Sequence, residues 1–159
     1  MQAAKMRMQM ERFNKTFGIL IAVVLSRGQD AEKIATYKEQ ALPVYEAMCT
    51  AANGKFLMGT DDLTQLDIHV GPFWEIMYLF RDGVYSDVNE KLKIEETAPN
   101  FFAYVQRFRE HPAIKPYRFS RKASEAHGVR SRAWDPNEKC QLSLAVLEGD
   151  ALPPDAADN

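Results

Sequence analysis

Residues 54–75 read Gly-Lys-Phe-Leu-Met-Gly-Thr-Asp-Asp-Leu-Thr-Gln-Leu-Asp-Ile-His-Val-Gly-Pro-Phe-Trp-Glu. Thr64 stands three residues ahead of Asp67 at the head of an apolar run, which is the spacing of a capping box. In that arrangement the threonine hydroxyl accepts the amide of Asp67, and the Asp67 carboxylate accepts the amide of Thr64. Leu63 and Ile68 occupy the two positions of a hydrophobic staple, and the carboxylate sits where the helix dipole favours negative charge. A helix therefore starts here. Leu66, Ile68, Val70, Phe73, Trp74, Ile76, Met77, Leu79 and Phe80 cover nearly its whole circumference, which predicts a central helix surrounded by others. Pro72 predicts a bend and Asp82-Gly83 the end.

Upstream, Phe13, Phe17, Leu20, Ile21 and Val24 recur at steps of four, three, one and three, the rhythm of a helix with one buried face, and Gly28 offers its stop. A second segment opens near Asp30 and carries Ile34, Tyr37, Ala41, Tyr45, Met48 and Ala52 on one stripe, with Pro43 as an expected kink and Asn53-Gly54 as the stop. The two form a helical hairpin, joined to the central helix by a connector whose Phe56, Leu57 and Met58 turn inward. Downstream, a polar stretch over 84–97 carries a short helical piece around 88–94. Ala98-Pro99 opens a helix with Phe101, Phe102, Val105 and Phe108 facing inward, His111-Pro112 closes it, and a further short helix is expected over 113–119.

The class is all-α; only residues 140–147 (CQLSLAVL) compete as a strand. The organisation expected is a helical domain over 1–119, a basic extension over 120–148 able to pack on the body, and a loose acidic tail over 149–159. From Lys115 to Arg132 six basic residues meet one acid, a local formal charge of +5, whose functional reading is a docking patch for an acidic partner and whose plain reading is a solvated surface.

Twenty Lys and Arg against 22 Asp and Glu leave a net charge of -2 over 159 residues, so the overall field gives no reason to expect nucleic acid or an anionic membrane as partner. The longest apolar stretch, residues 17–25, has nine residues where a spanning helix needs about 20. It is followed by Ser-Arg-Gly-Gln, which is no signal-peptidase site, and a buried helix is the expected reading. Cys49 and Cys140 lie too far apart in sequence for a zinc pattern and are too few for a disulfide framework; a reducing, cytoplasmic setting is expected.

The order of these pieces resembles the C-terminal all-helical domain of the cytosolic glutathione transferases: a hairpin of long helices, a Gly-Lys-Phe-Leu-Met-Gly connector, a Thr-Gln-Leu-Asp cap on an apolar helix, then Ala-Pro-Asn-Phe-Phe-Ala-Tyr and a His-Pro-Ala-Ile close. The likeness spans residues 8–119, and the stretch 64–75 looks most like the omega-type branch. It implies a bundle of five to six helices. It also implies a division of labour, in which a thioredoxin-like N-terminal domain binds glutathione and carries the catalytic Ser, Tyr or Cys while the helical domain shapes the pocket for the hydrophobic co-substrate. About a dozen residues precede the first expected helix, too few for that α/β domain. The expectation is a transferase fragment or truncated product, or else a stand-alone helical module, with glutathione as cofactor only if a thioredoxin-like domain is supplied. The surface that domain would cover is expected to meet a second copy or another protein.

No catalytic residue is expected in the chain itself. Cys49 falls late in a helix, where the dipole disfavours a thiolate, and reads as structural; Cys140 has Lys139 beside it but no nucleophile–base pairing. His69, His111 and His127 share no ligand spacing, so no metal is expected; His69 reads as a hydrogen-bonded packing residue and His111 as a helper at its helix C-terminus. Asp61 and Asp62 read as solvated turn residues. If the family's acceptor pocket persists, Phe13, Phe17, Tyr117 and Phe119 are the expected lining; otherwise they are ordinary core.

Overall fold

The computed structural model describes residues 2–26, 28–76 and 86–117. Among them there are helices and turns and no strand. Helix α1 (Gln2–Leu25) starts well before the first expected apolar position, so the dozen residues expected to precede the first helix belong to it, apart from Met1, which lies outside the described residues. Gln9, Phe13, Thr16, Leu20 and Val23 are its buried face. Gly28, at φ 66°, turns the chain and donates its amide to the carbonyl of Val23 at 3.0 Å. Asp30 then caps α2 (Ala31–Thr36), its carboxylate accepting the amides of Glu32 and Lys33 at 3.1 and 3.2 Å.

The expected kink at Pro43 takes a specific form. Residues Tyr37–Ala41 make a π turn, and α3 (Leu42–Ala51) follows with the proline in its first turn. Proline lacks the amide that an unbroken α-helix would bond four residues back, and widening the preceding turn by one residue accommodates that loss without a sharp bend. The stop is Asn53-Gly54, both with positive φ, 52° and 75°.

Helix α4 (Gln65–Trp74) is shorter and more one-sided than the sequence suggested. Leu66, Asp67, Val70, Gly71 and Trp74 are buried, whereas Ile68, His69, Pro72 and Phe73 face outward. Its expected continuation through Met77, Leu79 and Phe80 and the stop at Asp82-Gly83 lie outside the described residues. The polar stretch contains α5 (Ser86–Leu92) and the single turn α6 (Ile94–Thr97), separated by Lys93 in a left-handed conformation at φ 49°.

Helix α7 (Pro99–Glu110) packs along α3 and against α4. Its preceding residue, Ala98, has no capping side chain, and Glu46 on α3 supplies the cap instead. That carboxylate accepts the amides of Phe101 at 2.8 Å and Asn100 at 3.3 Å, and the Asn100 side chain at 2.6 Å. In place of the expected helix over 113–119 there is one 3-10 turn, Lys115–Tyr117. The core runs through all of these elements, with Trp74, Tyr45, Phe101 and Tyr104 at its centre. The basic extension beyond 117 and the tail over 149–159 lie outside the described residues.

Candidate functional site

The capping box forms at Thr64 and Asp67. Asp67 Oδ2 accepts the Thr64 amide at 2.9 Å and the Thr64 hydroxyl at 2.5 Å. The other oxygen leaves the helix altogether: Oδ1 accepts the amide of Leu57 in the connector and the hydroxyl of Tyr104 on α7, both at 2.9 Å. Asp67 is 0% exposed, so a buried carboxylate is held by donors from three parts of the chain. Burial, and then the Asp67 charge, push the Tyr104 hydroxyl well above the ordinary phenol range, so it stays a donor. Of the two staple positions, Leu63 packs partly against the core while Ile68 remains 50% exposed.

Phe13 and Phe17, the two expected lining residues on α1, come together with 5.4 Å between ring centroids. Phe13 is core, at 2% exposure; Phe17 lies only partly buried above it. Helix α4 completes the group with two rings that sequence reading had assigned to the interior. Phe73 stands edge-on to Phe17 at 4.8 Å and 6.0 Å from Phe13, and His69 stands edge-on to Phe13 at 6.1 Å. Phe73 is 37% exposed and His69 is exposed, so the histidine is a surface residue rather than a hydrogen-bonded packing residue. The clue was present: 13 and 17 on one helix and 69 and 73 on the other each share a face at i, i+4. Tyr117 belongs to the 3-10 turn, but its side chain, like all of Phe119, lies outside the described residues.

This outward aromatic face offers contacts for an apolar partner, and none of its four residues is a nucleophile. Cys49 is buried at the α3–α7 side, where burial first and the Glu46 charge second push its thiol well above the usual range, which favours the unreactive protonated form. Asp61 pairs with Lys55 at 2.8 Å and Asp62 accepts from His111 Nε2 at 2.9 Å, yet both carboxylates stay largely exposed, as expected of turn residues, and His111 stands at the C-cap of α7. Among the described residues no group of three or more His, Cys, Asp and Glu is placed to hold a metal, and no helix is long and apolar enough to cross a membrane. Cys140 and His127 lie outside those residues.

A long antiparallel helix pair, an aspartate-latched central helix and an outward aromatic face define an all-helical domain of the glutathione-transferase type. The sequence matches the family described as glutathione S-transferase, C-terminal domain, over residues 20–121, and the chain belongs to that family. Neither the curated proteins nor the solved structures compared with it gave a match.

Proposed function

We propose that this domain supplies the hydrophobic-substrate side and the scaffold of a glutathione conjugation or thiol-transfer enzyme, and is not catalytic by itself. The observation that carries this reading is the face formed by Phe17, His69 and Phe73 over Phe13, in which partly exposed rings are held open by two packed helices. Such a face binds apolar molecules well when a second wall excludes water. A thioredoxin-like domain is the proposed second wall and the proposed source of the glutathione site. The setting proposed is cytoplasmic.

The test is an assay of the chain with glutathione and a generic electrophile, alone and fused behind a thioredoxin-like domain of the same family. No turnover above the uncatalysed rate is expected from the chain alone, and turnover lowered by Phe73→Ala is expected from the fusion. Retention on immobilised glutathione together with turnover by the chain alone would contradict the division of labour.

A stand-alone interaction module is the second reading, favoured by the same exposed apolar surface and by the separately exposed Ile68. The partner would be a second copy or another protein covering the face. A monomer by light scattering that captures no partner counts against the module.

A further inference from the structure

His111 occupies the point where the helical body hands over to the chain beyond it. Its backbone is extended at φ −61° and ψ 134°, so α7 ends there. Its ring touches both sides of the junction. Nε2 lies 2.9 Å from Asp62 Oδ1 on the connector, while Nδ1 accepts the amide of Ala113 at 3.2 Å. The ring also stands edge-on to Phe56 at 5.5 Å, and the imidazole is 20% exposed. An amide can only donate, so Nδ1 must carry a lone pair, and Nε2 must carry the proton given to Asp62. This double engagement needs the neutral ring in one tautomer.

We propose that His111 is a proton-operated swivel: the neutral ring ties the turn after α7 to the connector, and the protonated ring keeps Asp62 and lets Ala113 go. When a solvent proton binds Nδ1, both ring nitrogens become donors, and the Ala113 amide faces a donor instead of an acceptor. The contact to Asp62 becomes an ion pair, so the ring stays with the connector. The carbonyl of His111 still accepts the amides of Ile114 and Lys115, each at 2.9 Å, so the turn keeps its own shape. It loses the one fastening that runs through the ring, while Ile114 keeps its partial packing on the core and Lys115 its pair with Glu110.

The charged groups around the ring are Asp62 and the Asp61–Lys55 pair on the connector side, Arg107 over the Phe56 ring, and the Glu110–Lys115 pair at 3.3 Å on the ring's own stretch of chain. Histidine is the side chain that ordinarily changes charge between about pH 5 and 8, whereas carboxylates, lysine and arginine ordinarily titrate outside that window.

The experiment is a nitrogen–proton correlation titration of the full chain from about pH 8 to about pH 5. The Ala113 amide proton is expected to move upfield with the same midpoint as the His111 Cε1–H resonance. In His111→Gln, whose uncharged amide can offer an oxygen to Ala113 and an N–H to Asp62, the Ala113 resonance is expected to be flat across the range. An Ala113 amide that does not follow the His111 titration in the native chain overturns the proposal, as does an equal movement in His111→Gln.

Discussion

Asp67 shows how one carboxylate can serve two levels of structure. Its Oδ2 completes a local cap, and its Oδ1 binds the connector and α7. Replacing it with alanine strands the Leu57 and Thr64 amides and the Tyr104 hydroxyl in the interior, so we expect Asp67→Ala to cost about 3–5 kcal/mol by chemical denaturation. Thr64→Ala removes one cap hydroxyl and should cost about 0.5–2 kcal/mol. Tyr104→Phe, which deletes a hydrogen bond to a charged group, should fall between them at about 1.5–3 kcal/mol. A ranking with Thr64→Ala as the most damaging would assign the carboxylate to the cap alone. Tyr104 and two other buried groups set an alkaline limit. Cys49, Tyr37 and Tyr104 are all held neutral by burial, with their folded values raised above the unfolded ones. Above the unfolded values the denatured chain sheds protons that the folded chain keeps, so unfolding is favoured as pH rises. Stability should be fully present below about pH 8.5 and decline above it, first through the thiol and then, near about pH 10, through the phenols. Denaturation midpoints across that range check the sign, and Cys49→Ala should remove the earlier part of the decline.

The helices differ in how readily they announced themselves. Caps made by neighbours in sequence were legible: Asp30 for α2, Thr64 and Asp67 for α4, and the Asn53-Gly54 stop. Features made by distant residues were not. Nothing near Ala98 reveals that Glu46, more than fifty positions earlier, caps α7. The π turn before Pro43 was visible only as a generic kink, because proline states that a bond is missing and not how the helix absorbs the loss. For α4, an apolar residue on every side suggested burial on every side. In the fold, Ile68 and Phe73 are left facing out, and the α4 half of the aromatic face went unread because Phe73 and His69 were assigned to the interior. Helices α4 and α7 approach closely at Gly71, where a Cβ would come within 2.3 Å of the Phe108 ring. That ring is buried and stacked on Tyr104 at 6.3 Å, so it has little room to yield. Gly71→Ala should therefore cost about 1–3 kcal/mol through overpacking of α4 on α7, with part of the loss restored by Phe108→Leu in a double-mutant cycle.

Among the described residues, the buried face of α1, the inner sides of α3 and α4, and α7 enclose one continuous core, while Phe17 and Phe73 on the α1–α4 seam stay partly exposed. The proposed recognition face is thus largely separate from the interior that carries stability. Phe73→Glu should leave the denaturation midpoint nearly unchanged, since Phe73 is already 37% exposed, yet it should abolish any self-association or partner capture measured by light scattering or pull-down. A large loss of stability would mean that Phe73 serves the core instead. Trp74 adds a practical consequence. Its indole lies 4.9 Å from Tyr45, 5.1 Å from Phe101 and 5.3 Å from Tyr104 by ring centroids, with the ring fully enclosed. Light absorbed by those two tyrosines will pass to it, and its emission will be blue-shifted only while α1, α3, α4 and α7 remain gathered around it. With Trp134 changed to Phe, this single fluorophore reports the assembly of the bundle without any attached dye.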